Sequence, residues 1–514
     1  MSKTIIIIGA GLAGLSAALQ AAKNGCNVKL VSSLPSERAQ SVMAEGGINA
    51  ALNTKDENDS PEEHFTDTIK AACGLADPNA VWGMTQAAPE LVHWLLELGV
   101  QFNMSGYDDV DLRNFGGQKK KRTAFAQSDT GKQIMTAMID AVRRKEASGM
   151  VERFSHHSFL TLRLCDNICC GCVIRDECSQ ETVELPGDAV IVATGGMHGL
   201  FGNTTGSLSN TGEVTAELFR LGVPLANGEM IQYHPTTVKC GGKRMLISEA
   251  ARGEGGRLFA MKDGKQWYFM EEKYPELGNL MPRDITAREI WKVSHESEVF
   301  LDMTEISDEI ISNKLSGLAD DCMTYLHKDI RKEPVSVLPG IHYFMGGILV
   351  DEQHRTPIQN LYAAGECCAQ YHGANRLGGN SLLGALYGGR VAAKSACEQA
   401  DVVDLSCATQ IDFPPASQIS EIKQLNKVMQ ETMGVVRNEN TLLNGIQTVQ
   451  ALTGNLPLLG MAVLKSALAR KESRGAHWRE DYPKSNDNDY LKTTVARFDG
   501  KQIQISFVPV PERR

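Results

Sequence analysis

Thr4-Ile-Ile-Ile-Ile8-Gly9-Ala-Gly11-Leu-Ala-Gly14 decides the fold of the N-terminal part of this chain. The β-branched run Thr4–Ile8 is typical of a buried parallel strand. The glycines that follow have GxGxxG spacing, and after them come an amphipathic segment closed by Gly25 and a second strand at Asn27–Ser32. Strand, glycine loop, helix and strand within about 30 residues predict a βαβ unit that binds a dinucleotide pyrophosphate. A chance cluster of glycines is the alternative, and the flanking strands disfavour it.

Two later segments have the same character as the first strand. Asp188–Gly196 and Asn360–Glu366 are apolar runs that end in small residues. We interpret both as strands that return to the bound nucleotide, as in two-dinucleotide-binding flavoproteins. Their separation predicts an inserted domain. The predicted division is a first part of the nucleotide-binding domain at 1–226, an inserted α+β domain at 227–338, the second nucleotide-binding part at 339–413, a helical domain at 414–480 beginning at Pro414-Pro415, and a polar tail at 481–514 that ends in a short strand.

Composition narrows the class of protein. A chain of 514 residues is too long for one hydrophobic core, so several domains are expected. A net charge of −10 argues against nucleic acid as the main partner. We find no apolar run long enough to span a bilayer and no secretory signal. The thirteen cysteines are interpreted as free thiols of a reducing cytosol, which predicts a cytoplasmic protein.

Cysteines cluster between Ser158 and Glu184, a stretch that alternates like a β-meander. Cys169 and Cys172 have CxxC spacing, but no second pair follows to complete a metal or cluster site. Residues three apart in a strand also point to opposite faces. We therefore predict small apolar side chains in a hairpin, and no bound metal.

Arg283, in Pro282-Arg283-Asp284, is the most unusual single residue. Proline suits the first turn of a helix, which would put a cation at a helix N-terminus, against the helix dipole. A solvated arginine paired with Asp284 or Glu289 is one interpretation. An arginine placed there to give up a proton is the other.

Nine motifs in order bear on this choice. They are GGINAAL (46–52), FGG followed by RT (115–123), HPTT (234–237), EAARGEGG (249–256), PRD (282–284), HYFMGG (342–347), LYAAGE (361–366), HGANRLGGNSLL (372–383) and SRGAHWRED (473–481). In this order they resemble the flavoprotein subunits of succinate dehydrogenase and fumarate reductase, over essentially the whole chain. The resemblance implies FAD, a capping domain above it, and a four-carbon dicarboxylate substrate, fumarate or succinate, between the two.

The resemblance also implies site residues. Arg283 matches the proton donor, with Glu249 and Arg252 as a relay behind it. The residues expected to contact substrate are Phe115, Gly116, His234, Ser248, His342 and Arg376. The residues expected to contact FAD are Gly9, Ala10, Gly11, Ala13, Gly14, Ser32, Ser41, Ala44, Gly46, Gly47, Ala193, Thr194, Gly195, Glu213, Glu366, Arg376, Ser381 and Leu382. A guanidinium in water is a poor acid, but one removed from water beside other cations is a better one.

Two positions, Gln40 and Glu213, depart from the family pattern, and Ser32 departs from the dinucleotide-binding fingerprint. Gln40 stands where many relatives have a histidine that tethers FAD covalently, so we expect noncovalent FAD. Without that substituent the flavin potential should be lower, which favours fumarate reduction as the working direction. Ser32 ends the second strand where an acidic residue would normally hold a ribose, and Glu213 replaces the usual aspartate of Thr-Gly-Asp.

Partners are implied only by the resemblance. The chain has no haem CxxCH motif and no convincing iron–sulfur spacing. We therefore expect a separate iron–sulfur subunit, which would place the protein at the inner face of the membrane through its partners. A free-standing enzyme that uses a diffusible donor is the alternative.

Three rival functions are considered. L-Aspartate oxidase shares the PRD and HGANR elements, but its pattern has a glutamate where this chain has Phe115, and a histidine where it has Gln118. A reductase of another unsaturated acid is the second rival. A flavin-binding module without enzymatic activity is the third, and it predicts no turnover that a substitution of Arg283 could remove.

Overall fold

The computed structural model describes residues 2–106, 109–401, 411, 413 and 419–514, so the predicted boundary at Pro414-Pro415 lies outside the described residues. The strands within these ranges are β1 (Thr4–Ile8), β2 (Asn27–Ser32), β3 (Ile48–Asn49), β4 (Leu112–Arg113), β5 (Thr123–Ala124), β6 (Val151–Ser155), β7 (His157–Cys165), β8 (Ile168–Asp176), β9 (Thr182–Pro186), β10 (Ala189–Val192), β11 (Leu225–Ala226), β12 (Ile231–Cys240), β13 (Lys243–Leu246), β14 (Arg257–Lys262), β15 (Lys265–Trp267), β16 (Val299–Asp302), β17 (Val335–Ser336), β18 (Leu338–Phe344), β19 (Gly347–Leu349), β20 (Leu361–Ala363), β21 (Cys368–Ala369), β22 (Lys492–Phe498) and β23 (Ile503–Pro509).

The α-helices in the same ranges are α1 (Leu12–Lys23), α2 (Pro61–Ala71), α3 (Pro78–Glu97), α4 (Thr130–Ala147), α5 (Glu213–Arg220), α6 (Glu249–Gly253), α7 (Phe269–Lys273), α8 (Arg283–Val293), α9 (Asp308–Lys314), α10 (Ser316–Asp321), α11 (Asn380–Gln399), α12 (Ile419–Thr432), α13 (Glu439–Val449), α14 (Asn455–Ala469) and α15 (Asp487–Tyr490). None of the helices in the described parts of the chain has both the length and the apolarity of a membrane span.

A five-stranded parallel sheet in the order β20-β10-β1-β2-β6 is the centre of the nucleotide-binding fold. β1, β10 and β20 are buried almost throughout, as their continuous apolar runs predict, whereas the edge strand β6 is partly exposed. The return strands at Asp188–Gly196 and Asn360–Glu366 are confirmed as β10 and β20, which pair side by side. α1 and α11 pack together against this sheet in one hydrophobic core.

Two further sheets lie between β11 and β19 in the sequence. β12 pairs with β13 and with β18, and a separate sheet has the order β15-β14-β16-β17. Their apolar side chains, together with those of α8 to α10, form a second core that includes Leu258, Ile290 and Leu301. α8 packs directly on β12, which brings the N-terminal end of this helix to the same place as the strand's polar residues.

The C-terminal part combines helices with a β-hairpin. α12, α13 and α14 share a core that includes Leu425, Leu442 and Leu459. The tail contains more structure than the predicted short strand, because β22 and β23, of seven residues each, form a hairpin. β22 also pairs with β11, so the hairpin joins the sheet β21-β19-β11-β22-β23.

The meander predicted between Ser158 and Glu184 is present as β7, β8 and β9. Cys169 and Cys172 are buried free thiols, and no group of three or more potential metal ligands is found within the described residues. One expectation is wrong, because Cys165 is in a disulfide and so is not a free thiol. Arg122, which ends the basic run at 119–122, is fully buried and is paired with Asp59 and Asp67 at 2.9 Å each.

Candidate active site

A cavity of about 1000 Å³ lies along the ends of β1, β2 and β10 and extends to β12, β18 and α8. All of the predicted FAD-contacting residues line it except Gly14. Of the predicted substrate and proton-transfer residues, Gly116 and Arg252 do not reach its wall and the others do. The two sets of predicted residues, far apart in sequence, therefore share one cavity.

Glycines close to the N-terminus of α1 permit tight backbone contacts. A Cβ on Gly9 (φ +112°) would lie 2.2 Å from the Ala193 carbonyl oxygen, and one on Gly14 would lie 1.8 Å from the Gly9 carbonyl oxygen. Gly14 is absent from the cavity wall because it lies where helix and strand pack together. A Cβ on Gly11 would meet nothing closer than 3.6 Å, so this position is open towards the cavity.

Polar groups along the cavity suit a dinucleotide. The hydroxyl of Ser32 is buried and has no hydrogen-bond partner among the described residues, and it lies at the end of β2 where a ribose hydroxyl is expected. Burial raises the pKa of Glu213, whose neighbouring residues also line the cavity. Gln40 lies on the wall in a short 3₁₀ segment with Ser41, whose hydroxyl accepts the N–H of Leu12 at 3.3 Å. These residues fit FAD.

Arg283 is the first residue of α8, directly after Pro282, and its side chain is buried. Its Nε and Nη2 lie 2.8 and 2.6 Å from Oε2 of Glu249, and its Nη1 donates to Oε1 of Gln232 at 3.1 Å. Arg283 is therefore not a solvated arginine, and its partners are Glu249 and Gln232 instead of Asp284 or Glu289. The guanidinium faces the cavity from a buried ion pair.

Glu249 is fixed between two arginines. Its Oε1 accepts the N–H of Gly116 at 3.0 Å and lies 3.7 Å from Nη2 of Arg252. Burial favours the neutral carboxyl, but the charges of Arg283 and Arg252 and the hydrogen bonds outweigh it, so the pKa of Glu249 lies below its ordinary value. Arg252 is wholly buried behind Glu249 and donates from Nη1 to the Asn279 carbonyl oxygen at 2.7 Å.

The predicted carboxylate-binding residues lie together on the cavity wall. The rings of His234 and His342 have centroids 5.1 Å apart, and Ser248 caps α6 beside them. Arg376 lies over the ring of Tyr343 at 4.4 Å, and its Nε is buried without a hydrogen-bond partner among the described residues. Such a free buried donor fits an anionic ligand.

The electrostatic balance of this wall is positive. Burial, then Arg283, lowers the pKa of both His234 and His342 well below the ordinary range, so the two rings are neutral at pH 7. Burial and Arg283 also lower the pKa of Arg376 to about 9, which leaves it charged at pH 7. Glu45, also on the wall, has its pKa raised to about 8 by burial and by Asp321, so it is mostly neutral.

Phe115 and Gly116 lie next to one another beside the ion pair. A Cβ on Gly116 would be 2.6 Å from Oε1 of Glu249, so only glycine lets the backbone N–H reach that carboxylate. The ring of Phe115 lines the cavity and contacts Gly46, where a Cβ would be 3.1 Å from it. Behind them Arg113 donates to the Gly46 and Glu45 carbonyl oxygens and lies 4.3 Å over Phe125.

Two residues near the site were not predicted. Thr205 lines the cavity and its hydroxyl lies 2.8 Å from Nδ1 of His342. Gln232 accepts from Arg283 and precedes His234 by two residues on β12. Period-two alternation along the strand could have indicated Gln232, whereas nothing in the sequence around Thr205 indicates its contact.

Residues 4–382 match the family described as FAD binding domain, and residues 452–513 match that described as fumarate reductase flavoprotein C-term. With the cavity described above, these matches define an FAD-dependent oxidoreductase. The succinate dehydrogenase flavoprotein subunit of Bacillus subtilis (strain 168) is 38% identical over 575 residues, covering 99% of this chain and 98% of the relative. The chain belongs to the succinate dehydrogenase/fumarate reductase flavoprotein family, which confirms the resemblance.

A solved structure confirms the fold class. A point mutant of the E. coli quinol fumarate reductase FrdA superposes with a TM-score of 0.89 at 27% identity, covering 99% of this chain and 97% of that one. The α/β, Rossmann-type FAD-binding fold with a C-terminal helical region is therefore established. The L-aspartate oxidase of Pyrococcus furiosus is 33% identical, covering 96% of this chain and 98% of the relative. Family membership alone therefore leaves the choice of substrate to the site.

Proposed function

We propose that this protein is the flavoprotein of a fumarate reductase or succinate dehydrogenase, with Arg283 as the proton donor to fumarate. The observation that carries the proposal is the position of Arg283, whose guanidinium is paired with Glu249 and faces the same cavity as His234, His342 and Arg376. Arg283 and Arg376 on the cavity wall, with Arg252 buried behind Glu249, outnumber the ionised Glu249, which suits a substrate with two carboxylates. Ser248, His234, His342 and Arg376 supply the groups for its two ends.

Bound FAD would supply the hydride for one alkene carbon, and it would be held by Gly9, Gly11, Ser32 and the other wall residues named for it. The chain's own contribution is the proton for the other carbon. This second carbon gains negative charge as hydride is added to the first, which makes it strongly basic, so a buried guanidinium can protonate it. Phe115 and the buried position of the ion pair keep water away from this point.

The ion pair also explains how Arg283 would regain its proton. Arg283 is the foremost charge that opposes the effect of burial on Glu249. When Arg283 becomes neutral, that opposition is lost and the pKa of Glu249 rises. Glu249 then takes up a proton from the side of Arg252 and returns it to Arg283. We propose Glu249 and Arg252 as this relay.

L-Aspartate oxidase is the second candidate, on the ground of sequence similarity. Its substrate has an ammonium group that needs a carboxylate partner. At the predicted position this chain has Phe115, whose ring forms the wall, and the nearby Glu249 is already paired with Arg283. Purified protein assayed with a reduced viologen dye should reduce fumarate, and with oxygen as acceptor it should not oxidise L-aspartate. Turnover of L-aspartate without turnover of fumarate would reverse the assignment, and preference for another unsaturated acid would redefine the substrate.

We further propose that FAD is bound without a covalent link, because glutamine at position 40 cannot make the bond of a tethering histidine. Acid precipitation should release all of the flavin into the supernatant. The lower flavin potential that follows makes fumarate reduction the working direction. Spectroelectrochemistry that gave a flavin potential well above that of the fumarate/succinate couple would contradict this direction.

The relatives named as flavoprotein subunits support a multi-subunit assembly. We propose a separate iron–sulfur subunit as the electron partner, through which the protein associates with the inner face of the membrane. Co-purification of a partner with cluster absorbance tests this. We also propose the domain division 1–226, 227–338, 339–413, 414–480 and 481–514, which limited proteolysis can examine.

A further inference from the structure

Gln232 connects the proton donor with the loop that carries Arg376. It lies on β12 and is completely buried. Its Oε1 accepts from Nη1 of Arg283 at 3.1 Å, and its Nε2 donates to Oδ1 of Asn375 at 3.0 Å and to the carbonyl oxygen of Arg376 at 2.8 Å. It is not part of the cavity wall, so it acts through the residues that are.

The partners of Gln232 fix the orientation of its amide. Arginine has only donors, and the Arg376 carbonyl has only acceptor capacity. A rotated amide would direct its NH₂ at Arg283 and its oxygen at the Arg376 carbonyl and would lose those hydrogen bonds. The amide therefore has one favourable orientation, and in that orientation both N–H bonds and the oxygen are used.

The same contacts restrict Arg283. A guanidinium has five N–H bonds. Two bond to Glu249 and one bonds to Gln232, so one on Nη1 and one on Nη2 remain for the cavity side. Glu249 alone holds the Nε and Nη2 edge, while Gln232 fixes Nη1. Without Gln232 the guanidinium could rotate about its contact with Glu249.

We propose that Gln232 is a positioning residue that aims Arg283 at the substrate carbon and couples this aim to the Arg376 loop. The inference rests on the proposed function. When a substrate carboxylate binds Arg376 and fixes the position of its loop, the hydrogen bonds of Gln232 also fix the position of Arg283. Arg283 then holds its N–H at the reacting carbon, where small displacements cost large factors in rate.

The first test uses two variants of Gln232 in the full-length, FAD-loaded protein. Gln232→Leu removes all three hydrogen bonds and should lower kcat for fumarate by about 30- to 100-fold, with KM changed by less than about threefold. The solvent deuterium isotope effect on kcat should increase, because proton delivery becomes slower. Gln232→Glu has the same shape and keeps an acceptor for Arg283, but it loses the two donors, and it should lower kcat by about 10-fold.

Gln370→Leu is the matched control. Gln370 is another buried glutamine, and its amide donates to the Asp351 carbonyl oxygen, away from Arg283. This variant should retain kcat within about twofold. If Gln232→Glu had the kcat of the wild-type protein, the inference would be overturned. It would also be overturned if Gln232→Leu and Gln370→Leu both lost kcat with an unchanged solvent isotope effect, because such a result would indicate a packing role.

A double-mutant cycle tests the coupling itself. Asn375→Leu removes one end of the link and should lower kcat by about 5- to 10-fold. Because both residues act through the same link, kcat of the double variant Gln232→Leu/Asn375→Leu should lie within about threefold of kcat of Gln232→Leu alone. Multiplicative losses would mean that the two residues act independently, against the proposal.

A substrate-free crystal structure of Gln232→Leu separates this inference from the proposed function. A wild-type protein that does not reduce fumarate would reject the function and leave the structural test intact. In the variant, the Arg283 guanidinium should rotate away from its wild-type plane. An unchanged guanidinium would overturn the positioning role.

Discussion

Arg283 combines two properties that oppose each other in a free amino acid. Its charge is buried, which costs free energy, and it is paired with a carboxylate that compensates for that cost. Proton transfer to substrate requires this pair to pass through a state in which Arg283 is neutral. Glu249 makes that state accessible because it can accept a proton when its neighbour loses one.

Substitution of Arg283 by lysine should separate proton transfer from binding. An ammonium cannot reach both Glu249 and Gln232 in the present geometry, so kcat should fall by about 10²- to 10⁴-fold. KM should change only a few-fold, because His234, His342 and Arg376 are kept. Steady-state kinetics with a reduced viologen dye measures both.

The matched control for that variant is Arg288→Lys, on the same helix. Arg288 lies 4.0 Å over the ring of Trp478, outside the cavity wall. It should retain kcat within about twofold. An Arg283→Lys protein as active as this control would remove Arg283 from the mechanism.

Arg376 gives the pH dependence of dicarboxylate binding. Its pKa of about 9 means that it is charged below that pH and loses its proton above it. A bound dianion favours the charged form, so binding is strong below pH 9 and weakens as the pH rises. The dissociation constant of succinate, followed by flavin absorbance, should increase about 10-fold between pH 7.5 and 10.

Arg376→Gln provides the comparison for this pH series. This variant should bind succinate more weakly than the wild-type protein at pH 7.5. Above pH 8.5 its dissociation constant for succinate should change little with pH. His234 and His342 are neutral throughout this range, so they add no slope. An equally steep dependence in the variant would assign the titration to another group.

At the residue scale, the sequence motifs indicated which residues come together, but not the hydrogen bonds between them. Arg283, Glu249, His234, His342 and Arg376 all reach one cavity from widely separated positions. The hydrogen bonds of Gln232 and Thr205 could not be predicted, because they depend on side-chain orientation across elements. The burial of Arg122 could not be predicted either, because it depends on two aspartates from another segment.

At the element scale, the glycine loop before α1 serves two separable purposes. Gly14→Ala should disrupt the loop, because its Cβ would lie 1.8 Å from the Gly9 carbonyl oxygen. Gly11→Ala should leave the apoprotein folded, with Tm changed by no more than about 2 °C, and weaken FAD binding at least about 10-fold. Differential scanning fluorimetry and flavin titration measure the two effects.

Gly242→Ala is the control for both glycine variants, because a Cβ there meets nothing within 4 Å. It should leave both Tm and FAD binding unchanged. If Gly11→Ala bound FAD as the wild-type protein does, the loop would not approach the pyrophosphate. Equal losses of Tm in Gly11→Ala and Gly14→Ala would also contradict the separation.

Strands with continuous β-branched runs were predictable from the sequence, and β1 and β2 have the predicted bounds. The place of the hairpin β22–β23 in the larger sheet was not, because it depends on pairing with β11, more than 250 residues away. Local patterns indicate which residues can be extended. They do not contain the identity of a distant partner.

At the scale of the whole molecule, one buried ion network joins two distant segments. Glu229 pairs with Arg470 at 2.7 Å, and Arg470 also pairs with Glu472 at 2.8 Å, all fully buried. Glu229→Gln leaves a buried guanidinium with less compensation, a loss that costs about 3 kcal/mol or more at such sites. Tm should fall by several degrees in differential scanning calorimetry.

Glu305→Gln is the matched control for this network. Glu305 is largely exposed and lies 3.9 Å from Arg257. Exposed pairs of this kind contribute little, so Tm should stay within about 1 °C. A Glu229→Gln protein as stable as Glu305→Gln would mean that the network does not hold these segments together.

The strand order of the parallel sheet also has a consequence for biosynthesis. When translation has passed β10, every strand of that sheet except β20 has been made. Glu366, Arg376, Ser381 and Leu382, which complete the cavity wall, are still absent. A nascent chain therefore presents only an open half of the nucleotide site while the segment between β10 and β20 is being synthesised. Stable capture of the nucleotide has to follow translation of α11, which makes flavin supply a late step in the maturation of this protein.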